Sequence, residues 1–103
     1  MNFQEEISHI TAQIIEKYKP ERIILFGSAA RGGPDADSDA DFLIIKEETP
    51  HYGADRIREL SRLIKRSIPA EFLVYRPLEF RNRLDMGAPF LKAVVKEGKV
   101  LYG

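Results

Sequence analysis

The stretch that decides the fold runs from Gly27 to Asp41 and reads GSAARGGPDADSDAD. It combines a glycine turn, a hydroxyl group and carboxylates at alternate positions. The apolar run before it, residues 23–26, is short and rich in β-branched side chains. This pattern predicts a buried strand that ends at the glycine. Residues 40–45 after it read ADFLII and predict a second strand. The stretch is therefore expected to connect two strands of one sheet.

Two carboxylates stand at the entrance of the second predicted strand. Residues i and i+2 of a strand point to the same side, so Asp39 and Asp41 would project together from one face. Like charges held that close repel each other unless a cation lies between them. Mg²⁺ takes oxygen ligands and is often bound by one or two carboxylates together with substrate phosphates. The spacing therefore predicts a magnesium site at this pair.

The glycine turn has features of a phosphate-binding site. Residues 28–31 can form the first turn of a short helix, which leaves backbone N–H groups near Gly27 and Ser28 to bind phosphate oxygens. A Walker-type loop is excluded, because positions 33–34 are Gly-Pro where Lys and Ser or Thr are required. A lone Gly-Ser turn is more often structural, so the prediction depends on the aspartates downstream. Arg31 could contact a phosphate or pair with one of those aspartates.

The alternating aspartates also suggest a calcium loop. An EF-hand that began at Asp35 would need glycine and a bidentate glutamate where the chain has Ala40 and Lys46. The EF-hand is therefore excluded. We expect Asp35 and Asp37 to be solvated loop residues, and Ser38 to cap or orient the turn.

Helices are predicted on either side of this region. Apolar residues at steps of three and four predict a first helix that ends at Pro20 and another from about Ala54 to Ser67. Prolines at helix starts predict two more, over residues 77–84 and 89–96. The last of these is expected to use Phe90, Leu91 and Val94 as core residues.

A third acid stands at the entrance of a third predicted strand, Glu71 to Tyr75. If the end of strand one is to meet the starts of strands two and three, strand two must run antiparallel to strand one. It must also run parallel to strand three, with the helix of residues 54–67 as the crossover. A short edge strand is expected over residues 99–102. The predicted fold class is α/β (α+β), a mixed sheet covered by helices.

Composition narrows the class of protein further. The 103 residues predict one domain, residues 1–103, with a modest core and no room for a second module. The 16 basic and 16 acidic residues cancel, so no overall field attracts nucleic acid or an acidic membrane. The absence of cysteine excludes disulfides and thiolate metal sites. No apolar run approaches a bilayer span, and the first residues lack the basic character of a signal peptide. We therefore expect a soluble cytoplasmic protein.

The motifs resemble those of a known family. Gly27-Ser28, ten intervening residues and Asp39-x-Asp41, between two apolar strands, resemble the signature of the minimal nucleotidyltransferase (MNT) domains of the DNA polymerase β superfamily. The later segments AEFLVYR and PFLKAVVKEGKVLYG are similar to that family as well. The resemblance implies a polymerase β palm-like fold and a nucleoside triphosphate, usually ATP. It also implies two Mg²⁺ ions and transfer of a nucleoside monophosphate to a hydroxyl group, with loss of pyrophosphate.

The resemblance implies a role for each candidate side chain. The triphosphate would be held at the glycine turn, by Gly27, Ser28 and Arg31. The metal ions would be held by the catalytic carboxylates, Asp39, Asp41 and Glu71. In the family the third carboxylate is usually Asp, so Glu71 matches by position and departs by one methylene group.

Three functions are compatible with this resemblance. Related minimal domains are typically paired with a small helical HEPN protein, as the antitoxin of a toxin–antitoxin system, and some transfer AMP to a tyrosine of that toxin. AMP transfer to a partner protein is therefore the first hypothesis. The second is a catalytically weak domain that neutralises its partner by contact alone, which Glu71 would favour. The third, an antibiotic nucleotidyltransferase, is disfavoured because the 103 residues leave no separate acceptor-binding region.

Overall fold

The computed structural model describes residues 2–32 and 39–103. The predictions for Asp35, Asp37 and Ser38 lie outside these residues. The described helices are α1 (Phe3–Tyr18), α2 (Ser28–Arg31), α3 (Gly53–Leu63), α4 (Pro77–Asp85) and α5 (Pro89–Glu97). The described strands are β1 (Arg22–Phe26), β2 (Ala40–Ile45), β3 (Ala70–Tyr75) and β4 (Lys99–Tyr102). In the part of the chain that is described, no helix combines the length and the apolar character that a membrane crossing requires.

The strands form one mixed sheet in the order β3-β2-β1-β4. Strand β2 pairs antiparallel with β1 and parallel with β3, and β4 pairs antiparallel with the other side of β1. The parallel pair requires a crossover, and α3 supplies it. The predicted α+β class, the strand directions and the short edge strand are therefore confirmed.

Each face of the sheet is covered by a different set of helices. Alternate strand residues point to opposite faces. On the first face, apolar strand residues such as Phe42 and Ile44 form a buried cluster with the apolar residues of α1 and α3. On the second face, Leu43 and Ile45 form a separate cluster with residues of α4 and α5. The side chain of Asp41 shares the second face, because it precedes Leu43 by two positions.

The crossover helix is shorter than its sequence predicts. Helix α3 ends at Leu63 rather than at Ser67, and Ile64 is extended. The Gln13 side chain of α1 holds the following segment, since its amide donates to the Lys65 carbonyl and accepts from the Lys65 N–H, both at 2.7 Å. These long-range hydrogen bonds replace the next helical turn.

A buried arginine that the sequence analysis did not identify ties the crossover to the sheet. Arg56 is only 3% exposed, and its guanidinium donates to the Val74 carbonyl at 3.2 Å. It also forms an ion pair with Glu79 of α4 at 2.6 Å and donates to the carbonyls of Pro50 and His51. One side chain thus connects α3, the outer edge of β3, the start of α4 and the preceding loop.

Candidate active site

A row of side chains crosses three strands at one end of the second face. Phe26 of β1 lies opposite Asp41 of β2, and Asp41 lies beside Glu71 of β3. Cross-strand partners point to the same side of a sheet, so the three side chains are neighbours. The Ala40 N–H donates to the Pro69 carbonyl at 3.0 Å, which holds the starts of β2 and β3 together. The predicted meeting of the two strand starts with the end of β1 is confirmed.

Gly27 brings the turn against the Asp41 carboxylate. Its φ of 72° lies in the region that favours glycine. A Cβ atom added at Gly27 would overlap the Oδ2 atom of Asp41. Glycine is therefore required here both by the backbone conformation and by the close approach of the carboxylate.

The residues after Gly27 form a single helical turn, as the sequence predicts. The Gly27 carbonyl accepts from the N–H groups of Ala30 and Arg31, both at 3.1 Å. Ala29 is buried in the first-face cluster, which anchors the turn. The binding of phosphate at Gly27 and Ser28 stays a prediction.

The carboxylates at this end of the sheet act on each other. The pKa of Asp41 is raised, first by burial and then by the charges of Glu71 and Asp39. A hydrogen bond with Glu71 raises this pKa further, whereas the positive charge of Arg31 lowers it. The cluster is therefore a place where negative charge is costly in the protein alone, and where a cation would be stabilised.

Arg31 has a partner that lies far from it in the sequence. Its guanidinium lies 3.7 Å from the carboxylate of Glu97, at the end of α5, and both side chains are at least half exposed. An exposed pair at this distance leaves Arg31 free to change partners at little cost. The pair also links α2 to α5.

The donor set fits a divalent cation that is completed by a substrate. Within residues 2–32 and 39–103, no group of three or more histidine, cysteine or acidic side chains is placed so that it could hold a metal ion. Mg²⁺ is often held by one or two carboxylates plus substrate phosphates. Asp41 and Glu71 meet that requirement, because they offer carboxylate oxygens and negative charge. The charge of Asp39 acts at the same place.

An aromatic pair extends the row on its β1 side. The ring centroids of Phe26 and Phe90 are 5.5 Å apart, and the rings are nearly perpendicular. Phe90 is 47% exposed, so its assignment to the core is wrong, whereas Leu91 and Val94 are buried as predicted. The helical period alone could not separate Phe90 from Val94, because residues four positions apart lie on the same side of a helix.

The sequence places the chain in a known family. A family model described as "Polymerase beta, Nucleotidyltransferase" matches residues 8–103. The chain therefore belongs to this nucleotidyltransferase family, and it is a minimal domain of that kind. Enzymes of the family generally use a nucleoside triphosphate and a divalent metal ion.

Two curated relatives come from the archaeon Methanocaldococcus jannaschii, and both are named "putative protein adenylyltransferase". One is 32% identical over 104 residues, which cover 99% of this chain and all of the relative. The other is 41% identical over 63 residues, which cover 61% of this chain. That match spans 54% of the second relative, or about half of its length. No solved structure gave a significant match.

Proposed function

We propose that the protein transfers AMP from ATP to a hydroxyl group of a partner protein, with a tyrosine as the acceptor. The observation that carries the proposal is the meeting of Asp41 and Glu71, with Asp39 close by, against the turn at Gly27. The names of the two archaeal relatives support a protein as the acceptor rather than a small molecule.

In this proposal the triphosphate is bound at the turn between β1 and α2. The Ser28 hydroxyl and the backbone at Gly27 hold the β- and γ-phosphates. Arg31 can exchange its exposed partner Glu97 for a phosphate oxygen, because the existing pair is weak. This binding leaves the α-phosphate on the side of the carboxylates.

The acidic row then supplies the charge that the reaction requires. Phosphoryl-type transfer depends on positioning and charge neutralisation more than on a protein nucleophile. We assign Asp39, Asp41 and Glu71 as ligands of two Mg²⁺ ions. Bound Mg²⁺ neutralises phosphate charge and lowers the pKa of an attacking hydroxyl group. The acceptor hydroxyl releases its proton to water as its oxygen forms a bond to the α-phosphorus, and the bond between that phosphorus and the departing pyrophosphate breaks.

Glu71 has the reach that this assignment needs. It is the register partner of Asp41, and the two side chains share a hydrogen bond. The extra methylene group therefore does not remove the carboxylate from the row. This contact favours an active enzyme over the contact-only antitoxin.

The proposal also includes the domain organisation, the partner protein and the cellular location. We infer that residues 1–103 act as one minimal nucleotidyltransferase domain. Its partner would be a small helical HEPN protein, with the two proteins forming a toxin–antitoxin pair in the cytoplasm. The balanced charge of the chain supports a protein partner over nucleic acid.

The test uses the protein with the partner that co-purifies with it. ATP labelled on the α-phosphate should label the partner in the presence of Mg²⁺, whereas ATP labelled on the γ-phosphate should not. Peptide mapping should place the added AMP on a tyrosine. A partner that is bound and neutralised without any label would show contact-only action and overturn the proposal.

A further inference from the structure

An exposed aromatic ring lies beside the acidic row and has no part in the chemistry described above. Phe90, the second residue of α5, is 47% exposed. Single exposed apolar residues are common on protein surfaces and need no explanation by themselves. Phe90 differs from such residues because it lies close to the carboxylates, and this position requires an explanation.

The register of the sheet defines that position. Phe26 and Asp41 are directly opposite each other on β1 and β2, so their side chains are adjacent on the second face. The ring of Phe90 contacts the ring of Phe26 at 5.5 Å, with an interplanar angle of 85°. Phe90 is thus separated from the Asp41 carboxylate by one side chain.

The helix that carries Phe90 is anchored on both sides of it. Pro89 occupies the first turn of α5, and Leu91 and Val94 are buried against the sheet. At the other end, Glu97 pairs with Arg31 of α2. The ring is therefore held in place relative to the phosphate-side turn, and its exposed surface is available to a ligand.

We propose that Phe90 is the surface on which the base of the nucleotide stacks. This inference rests on the proposed function, since it requires a nucleotide whose phosphates lie at Gly27 and the carboxylates. An aromatic ring stacks on every base, because every base has a π-face. Phe90 therefore adds affinity for nucleotides without selecting adenine.

The experiment compares ATP with inorganic tripolyphosphate, which has the phosphates but no base. Binding of each in the presence of Mg²⁺ is measured by calorimetry. Phe90→Ala should weaken ATP binding by about 5- to 150-fold, the range that loss of one base–aromatic stack gives. It should weaken GTP binding by a similar factor and leave tripolyphosphate binding unchanged. Phe90→Tyr should retain the ATP affinity.

Two further variants serve as controls. Val95→Ala changes another exposed apolar residue of the same helix and should leave the binding of both ligands unchanged. Ser28→Ala should weaken ATP and tripolyphosphate alike, because its hydroxyl is assigned to the phosphates. The two variants separate an effect on the base from an effect on the helix or on the phosphate side.

The outcomes distinguish this inference from the proposed function. Unchanged ATP affinity in Phe90→Ala, with transfer intact, overturns the stacking assignment and leaves the proposed function standing. An equal loss of ATP and tripolyphosphate binding also overturns it, since the substitution would then act through the fold. If only the KM for the partner protein rises, Phe90 contacts the acceptor and the assignment is wrong. Wild-type protein that binds neither ligand overturns both proposals.

Discussion

Asp41 lies between Gly27 and Glu71, and the negative charges of Glu71 and Asp39 act on its carboxylate. Burial and the neighbouring acids raise its pKa above the ordinary range. An acid whose pKa is raised on folding holds a proton in the folded state that the unfolded state has already released. Its ionisation therefore opposes folding at neutral pH, and the opposition disappears below the pKa of the unfolded state, about 3.9.

We predict that Asp41→Asn abolishes AMP transfer and stabilises the metal-free protein at pH 7. Tm should rise by a few degrees, since 1 kcal/mol corresponds to about 4–8 °C in a domain of this size. The rise should shrink as the pH falls, and it should vanish below the unfolded pKa of about 3.9, where the wild-type carboxyl is protonated in both states. Thermal unfolding across this pH range, with chelator present, measures both effects. A lower Tm at pH 7 would contradict the electrostatic interpretation.

Glu71 is the residue at which this chain departs from the usual pattern. If it holds a metal ion, Glu71→Gln should remove most transfer while ATP binding remains largely intact. Glu71→Asp should retain activity or raise it. An assay with ATP labelled on the α-phosphate compares the wild type with the two variants. It shows whether Glu71 is a metal ligand or only a residue at the start of a strand. Equal rates in the wild type and both variants would remove Glu71 from the site.

The turn between β1 and α2 is the element on which the candidate site depends. Its first residue must accept a positive φ and must lie against the Asp41 carboxylate. Both demands act at Gly27, so backbone conformation and site geometry are set by the same position.

We predict that Gly27→Ala destabilises the protein by about 1–3 kcal/mol, the usual cost of a non-glycine residue in a sparsely populated backbone region. It should also displace the Asp41 carboxylate and reduce transfer at least tenfold. Urea unfolding and the transfer assay measure the two effects. Gly32→Ala is the matched control, because Gly32 also has a positive φ but a Cβ atom there would meet nothing within 4 Å. Gly32→Ala should therefore lose a similar amount of stability, but its rate of AMP transfer should stay unchanged.

The stability of the whole molecule depends on contacts between segments that are distant in the sequence. Arg56 connects α3, the edge of β3 and α4, and its partner Glu79 has a lowered pKa, first because of the hydrogen bond from Arg56. A lowered carboxyl pKa contributes stability above the pKa of the unfolded state and loses it as the pH falls through the folded value.

We predict that Arg56→Met destabilises the protein by about 3–5 kcal/mol, because it leaves a partly buried carboxylate and several carbonyls without their donor. Arg58→Ala is the control on the same helix. Its pair with Asp55 is exposed, so the loss should be within about 1 kcal/mol. Urea unfolding at pH 7 measures both. The Arg56→Met difference should narrow as the pH falls below the unfolded glutamate pKa of about 4.3. Similar losses in the two variants at pH 7 would contradict this role.

Local pattern was enough to predict the strand-turn-strand core of the molecule. The β-branched run before Gly27 and the alternation at Asp39 and Asp41 depend on neighbours in the chain, so their geometry can be read without knowing the fold. Glu71 could be identified because it stands at the entrance of a third apolar strand, and the directions of the strands followed from the condition that the three acids meet. The roles of these residues in catalysis stay predictions.

Contacts between distant segments decided the features that the local sequence did not predict. Helix α3 stops at Leu63 because Gln13, about 50 positions earlier, takes the backbone hydrogen bonds of Lys65. Phe90 is exposed, and Arg31 pairs with Glu97, because of where α5 crosses the sheet. Arg56 is buried because three separate segments, the loop at Pro50 and His51, strand β3 and helix α4, supply its acceptors. The sequence by itself determined the elements and the acidic pair, whereas only the tertiary structure decided these features, since each depends on partners far away in the chain.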